Sequence, residues 1–279
     1  MSRRSPRRQP DPPAPELTST LEERIKHALF PGRLYIRYRA AKEWWRGEAE
    51  IKFLSSLIDK KRNAIDAGAN KGVYTYFMAK RAHHVYAFEP NPKMLTILRR
   101  TRARNVTVFP IALSHQTGTA TLRIPYGKKG PSNQRGSLSA AKIGDNFIPV
   151  PVETKRIDDL GLSDIGFIKI DVEGFEEAVL AGATQTIMRD WPNLLIEIEE
   201  KHTGIPIMQS IESVCSLGYD AFFLSDGRLQ PVNGFDPAIR HQPSRRGYVF
   251  NFIFLPAADR ARGNDSAAQA IRSNLRSPP

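Results

Sequence analysis

The chain predicts an α/β fold: a mostly parallel sheet of seven strands, helices on both faces, and an antiparallel edge strand. Three observations carry this. Short apolar runs alternate with segments of helical spacing from residue 63 to residue 217. A Gly-rich turn, Asp66-Ala67-Gly68-Ala69-Asn70-Lys71-Gly72, joins the first run to the first helix. Two closing runs, 219–224 and 248–255, have no helix between them, which marks an antiparallel pair.

The elements can be justified in order. Residues 63–67 form a short apolar strand, and 72–81 have helical spacing. Residues 84–89 form the next strand through Val85, Ala87 and Phe88. The helix expected at 92–104 sets Leu95 and Leu98 against a solvated face of Lys93, Arg99, Arg100, Arg102 and Arg104. A third strand covers 106–110. The stretch 111–160 then breaks the rhythm with Gly118, Gly127, Gly130 and Gly136 around strand-like 119–124 and 150–156. It reads as an insertion over the sheet. A strand at 167–172, a helix at 175–189, a strand at 194–199 and a helix at 205–217 complete the alternation.

Around this domain (61–255), residues 17–60 read as a helical cap. Residues 1–16 hold five Pro and four Arg and read as a disordered basic tail. Residues 256–279 read as a loose tail. The 279 residues carry a net charge of +12 and a single cysteine, Cys215. One thiol excludes a disulfide scaffold and a Cys-based zinc site. No run approaches the ~18 apolar residues of a membrane span, and no apolar stretch backs the N-terminal arginines as a secretory signal would require. A cytoplasmic protein is expected, with peripheral contact at the inner membrane as an open alternative.

The charge is uneven. Residues 61–125 hold 11 basic against 2 acidic side chains, whereas residues 151–200 hold 4 against 12. A uniform nucleic-acid coat does not need that reversal. The basic surface would instead face an anionic substrate or an acidic membrane.

The turn carries the first chemistry. Its glycines let backbone approach a ligand, and free N–H groups at a helix start favour negative charge. Glu89 lies 21 residues beyond Gly68, at the end of the next strand, where an acid accepts ribose hydroxyls. The spacing is neither G-x-G-x-x-G nor a Walker A motif. A nucleoside-type cofactor is expected; a plain tight turn is the alternative.

Several further segments extend the pattern in order: Ala87-Phe88-Glu89-Pro90-Asn91-Pro92, Ala112-Leu113-Ser114 and Gly136-Ser137-Leu138. Then follow Arg156-Ile157-Asp158-Asp159-Leu160, Ile168-Lys169-Ile170-Asp171-Val172-Glu173-Gly174-Phe175-Glu176 and Pro192-Asn193-Leu194-Leu195-Ile196-Glu197. With the turn, these resemble the FkbM-type methyltransferases over roughly 60–200. The resemblance implies a Rossmann-like class I methyltransferase fold, S-adenosyl-L-methionine as cofactor, and O-methylation of a sugar, glycolipid or other natural-product hydroxyl. It implies Asp66 and Gly68 at the methionine end and Asn70, Gly72, Tyr74 and Thr75 at the turn and helix start. It implies Glu89 on the ribose with Pro90 and Asn91 beside it, Ala112 and Ser114 near the adenine, and Asp171 at the cofactor's edge. Lys71 stands where the family usually has an apolar residue.

Asp171 and Glu173 alternate at a strand's carboxyl end, where open parallel sheets bind ligands. Glu197 and Glu199 repeat the spacing, with His202 just beyond. Asp171, Glu173, Glu197 and His202 are the candidates for orienting or deprotonating an acceptor hydroxyl. Asp171 could instead cap the following helix, and His202 could be an ordinary loop histidine. No tight metal cage is legible, so no metal is assigned, although the acids could hold Mg²⁺ or Ca²⁺.

On the acceptor side, residues 34–46 mix aromatics with cations, as a core-packed helix or a membrane-facing one would. Gly127-Lys128-Lys129-Gly130 with Arg135 reads as a mobile basic loop or a solvated turn. A small-molecule or glycan acceptor is expected. The alternative from another class is an RNA-binding or RNA-modifying protein that uses the basic first half.

Overall fold

The computed structural model describes residues 32–101, 103–127, 130–132, 135–139, 146–243, 247–258 and 260. The expected tail at 1–16, residues 17–31 of the expected cap, residues 261–279 of the expected tail at 256–279, and Arg102, Lys128 and Lys129 lie outside the described residues; Pro256, expected in the tail, is instead the buried end of a strand.

Residues 32–57 form two helices, α1 (Gly32–Arg46) and α2 (Glu50–Leu57). The strands β1 (Asn63–Ala67), β2 (Val85–Phe88) and β3 (Val106–Phe109) follow, separated by α3 (Val73–Met78) and α4 (Pro92–Leu98). The insertion supplies β4 (Ala112–Leu113), β5 (Gly118–Gly127), β6 (Gly130–Pro131) and β7 (Phe147–Lys155). The main sheet resumes with β8 (Ile165–Ile170), α5 (Glu176–Ala181), α6 (Thr184–Asp190) and β9 (Asn193–Glu197). Beyond it come α7 (Glu200–Thr203), α8 (Ile207–Cys215), β10 (Tyr219–Ser225), β11 (Arg228–Pro231), α9 (Pro237–Arg240) and β12 (Asn251–Pro256).

The main sheet has the order β11-β10-β12-β9-β8-β1-β2-β3, and β4-β7-β5-β6 form a second sheet. Pairing among β9, β8, β1, β2 and β3 is parallel. The seven expected strands are all present, and β11 adds an eighth. The two closing strands form the expected antiparallel pair, β10 with β12, and the antiparallel strand at the edge is β11; β12 itself is interior. It lies between β9 and β10 and is antiparallel to both. Every residue of β12 is buried, so it needs neighbours on both sides. β11 exposes Arg228, Gln230 and Pro231, and its proline blunts the sheet edge.

Strand alternation divides the core in two. Ile65, Ile168, Ile170, Leu194, Ile196, Phe252 and Phe254 pack with Val179, Ile187 and Ile211 on one face. Ala64, Val85, Phe167, Leu195, Ile253 and Leu255 pack with Leu54, Leu57, Phe77 and Met78 on the other. Burying each large apolar side chain is worth roughly 1.5–3 kcal/mol. The period of two then fixes the polar positions. Asp66 and Lys169 alternate with Ile65, Ile168 and Ile170, so both face α2 and α3.

The expected single helix at 175–189 is two, broken at Gly182. A Cβ on Gly182 would lie 2.0 Å from the Ser114 carbonyl oxygen, so the break is where the insertion docks on the helical layer. α4 stops at Leu98, and one 3₁₀ turn, Arg99–Thr101, leads on toward β3. Helix α1 exposes Leu34, Tyr38 and Trp45 along one stripe. Among the described residues, no helix is long and apolar enough to cross a membrane.

Candidate active site

The Gly-rich turn ties three strands together. Gly68 has φ +77°, and a Cβ there would sit 1.8 Å from the Asp171 carbonyl oxygen. Only glycine fits this place. The Gly68 and Ala69 amides donate to Phe88 O at 3.1 and 2.9 Å. Gly72, at φ +83°, starts α3.

Glu89 is buried behind this turn. Its Oε2 accepts from the Asn70 amide at 2.7 Å and its Oε1 from the Asn91 amide at 2.8 Å. Burial pushes its carboxyl up to about 7 against the pull of those two amides. Asn91 caps α4, accepting from Lys93 N at 3.0 Å with Pro92 at the first helical position.

Two clefts meet at Gly68, Asn70 and Asp171. One, of about 750 Å³, has Glu89, Pro90, Asn91, Met94, Ala112 and Leu113 at its walls, with Glu173, Glu197 and the insertion's Leu138. The other, of about 570 Å³, is walled by Glu48, Tyr74, Lys169, Lys71 and Arg39. Gly72, Thr75, Ser114, Asp66 and His202 line neither cleft.

Asp66 is fully buried beneath the clefts. Its Oδ2 accepts from Thr75 Oγ1 at 2.5 Å, fixing the start of α3. Its Oδ1 makes no hydrogen bond and lies 4.0 Å from Lys169 Nζ. Lys169 also donates to Asp171 Oδ2 at 2.9 Å, and its ammonium sits 4.7 Å from the Tyr74 ring centroid. Burial pushes the ammonium down, but Asp171 and Asp66 outweigh it and hold Lys169 charged. Tyr74 donates to Glu48, which also accepts from Asn251 Nδ2 at 2.9 Å. Lys169, Glu48 and Asn251 carry no role in the sequence reading. A lone Lys between two isoleucines of a buried strand was the one legible signal.

The turn after β8 frees Asp171 for the clefts. The following helix start is served by Glu176, whose Oε1 accepts from Val172 N at 3.3 Å and Gly174 N at 2.9 Å. Asp171 therefore does not cap it. Glu173 and Gly174 both have positive φ, 60° and 94°. Ser137 Oγ donates to the Glu173 carbonyl at 2.6 Å, pinning the insertion to this turn. Burial, then Asp171 and Glu199, push the Glu197 carboxyl well above its usual range. Burial also pushes Glu199 up, but Lys201, Tyr248 and His202 outweigh it and leave Glu199 below. His202 is buried behind Glu173, with Nε2 3.6 Å from Glu173 Oε2 and 3.9 Å from Glu199 Oε1.

The sequence model of the methyltransferase FkbM domain matches residues 66–221, from β1 into β10. This chain belongs to the FkbM methyltransferase domain family. The FkbM domain thus contains the turn, Glu89, the insertion and the acidic strand ends. It is 28% identical over 172 residues to methyltransferase sdnD of Sordaria araneosa, covering 49% of this chain and 66% of that protein. It is 26% identical over 153 residues to the 2-O-methyltransferase NoeI of Sinorhizobium fredii, covering 48% and 63%. It is 26% identical over 164 residues to the hexuronic acid methyltransferase AglP of Haloferax volcanii, covering 57% and 64%. The matches thus span just under two thirds of these relatives' lengths.

Proposed function

We propose that the chain is an S-adenosylmethionine-dependent O-methyltransferase acting on a hydroxyl of a sugar, glycolipid or related natural product. The observation that carries this is the position of Asp171, a carboxylate shared by both clefts and braced by Lys169. The NoeI and AglP names favour a sugar hydroxyl. The exposed stripe Leu34, Tyr38 and Trp45 is the face that would meet an acidic membrane surface carrying such an acceptor.

The residues fit the cofactor. Glu89 keeps lone pairs for ribose hydroxyls, Gly68 and Asn70 line the same cleft, and Met94, Ala112 and Leu113 offer apolar walls for a base. When bound, S-adenosylmethionine supplies an electrophilic methyl group on a cationic sulfur. Asp171 and Glu173 orient the acceptor hydroxyl at the meeting of the clefts, and Asp171 receives its proton. Glu197 lines the same cleft, its carboxyl pushed above the usual range by burial and then by Asp171 and Glu199. The insertion's Leu138 helps close the cleft against water.

Calorimetry with S-adenosylhomocysteine tests the cofactor. Glu89→Ala should weaken binding by about 2–4 kcal/mol, through loss of hydrogen bonds to a charged acceptor. Ribose hydroxyls donate to the ionised carboxylate, so wild-type affinity should rise with pH up to about 7 and level off above. Binding below that pH should release a proton. The free protein should show the opposite sign: its raised carboxyl should make stability fall as pH climbs from 4.5 to about 7. An affinity flat with pH and indifferent to Glu89→Ala would sink this assignment.

Asp171→Ala should cut methyl transfer by about 10²–10⁴-fold, with S-adenosylhomocysteine affinity changed less than about 10-fold. The assay is transfer of methyl label from S-adenosylmethionine into glycans and lipids of cells lacking the gene. Asp171→Asn separates charge from shape. Persistent transfer in both variants would make Asp171 structural. Labelled RNA in place of labelled glycans would favour an RNA-modifying activity.

A further inference from the structure

We propose that Glu173, Glu197 and His202 form a divalent-cation site, of the Mg²⁺/Mn²⁺ class, whose open positions take oxygens of the acceptor. The placement of the acceptor rests on the reading above; the ion site itself rests on geometry.

The three side chains come from separate elements: the turn after β8, the last residue of β9, and α7. One ligand atom from each lies within 4.8 Å of the others. Two ligand atoms bound to one Mg²⁺ at about 2.0–2.1 Å can be at most roughly 4.2 Å apart, so the side chains must close by up to about half an ångström to share one ion. No tight ligand cage is legible in the sequence. The fold assembles the three ligands across 29 positions of chain, from 173 to 202.

The surroundings favour a cation. Glu173 and Glu197 line the first cleft together with Asp171, while His202 stands behind them. The Glu197 carboxyl makes no hydrogen bond. The nearby cations are committed elsewhere: Lys169 to Asp171 and Asp66, and Lys201 to Glu199. The turn that carries Glu173 is held on both sides. Ser137 donates to its carbonyl, and a Cβ on Gly174 would meet the His202 carbonyl oxygen at 2.9 Å. These contacts fix the spacing between two of the ligands.

Two carboxylates and one imidazole suit Mn²⁺ or Mg²⁺, and three protein ligands leave positions open. A vicinal pair of hydroxyls, as on a sugar ring, would fill two of them. An ion there lowers the pKa of a bound hydroxyl and fixes its direction toward the junction of the clefts. The acceptor class is thereby narrowed to polyhydroxylated molecules.

The test uses the full chain, stripped with chelator and titrated with Mn²⁺ while the free-ion signal is followed by electron paramagnetic resonance. We expect one Mn²⁺ per chain, displaced by excess Mg²⁺. Glu197→Gln and His202→Gln should each weaken Mn²⁺ binding by at least about 10-fold, and the exposed Glu177→Gln should not. Calorimetry with S-adenosylhomocysteine on the same samples reports whether each variant is folded. Substoichiometric binding, or binding lost equally in Glu177→Gln, would overturn the site. A chain that binds S-adenosylhomocysteine but not Mn²⁺ loses the ion and keeps the methyltransferase reading. A chain that binds Mn²⁺ but not S-adenosylhomocysteine does the reverse.

Discussion

Lys169→Met should lower stability by about 3–5 kcal/mol, the usual cost of removing one partner from a buried ion pair. Lys169 is 4% exposed and Asp66 is 0% exposed, so water cannot replace the lost ammonium. Asp66 Oδ1 already lacks a hydrogen bond and would lose its nearest cation. Burial already raises the Asp66 carboxyl, and losing Lys169 would raise it further. The sign follows from linkage. A carboxyl raised in the folded state contributes a penalty that grows as pH rises through its folded value. The variant should therefore lose more at pH 8 than at pH 5. Urea unfolding midpoints at the two values measure this. Adding Asp66→Asn to the variant should recover part of the loss, because it removes the stranded charge. Equal losses at both pH values, with no recovery in the double variant, would mean that Lys169 acts by packing alone.

Gly68→Ala should cost at least about 3 kcal/mol and abolish S-adenosylhomocysteine binding. The new methyl would stand 1.8 Å from a backbone oxygen, which cannot rotate away as a side chain could. Relief requires β1 and β8 to separate at their carboxyl ends, where Asp171 N donates to Ala67 O at 3.1 Å. Gly161 is the control. Its φ is +64°, but nothing lies within 4 Å of its would-be Cβ. Gly161→Ala should cost only the backbone term, about 1–2 kcal/mol. Similar losses at both sites, by urea unfolding, would show that the approach to Asp171 is not the cause.

The parallel strands were legible because their runs are mostly apolar on both faces: Ile165–Ile170 and Leu194–Ile196 can only be buried strands or short helices, and the turns beside them decide. The turn and Glu89 were legible because their chemistry is local. Strand order is not local. Nothing in Asn251–Pro256 announces that it inserts between β9 and β10, since that depends on partners 54 to 60 and 29 to 37 positions earlier. β11 was missed because a four-residue edge strand with exposed Arg228 and Gln230 looks like a loop. The same reason hid the polar floor. Glu48 and Asn251 touch across 203 positions, and neither has a local pattern to betray it. The acids at 171, 173 and 197, singled out by their spacing at strand ends, line the first cleft; that His202 would sit behind them, out of both clefts, needed the fold.

The interior position of β12 also sets an order of events during synthesis. The facing edges of β9 and β10 have no ladder partner until residues 251–256 have left the ribosome. Until then two apolar strand edges stand open side by side, templates for any other extended chain. Of the strands among the described residues, the last to emerge is the one that seals the sheet.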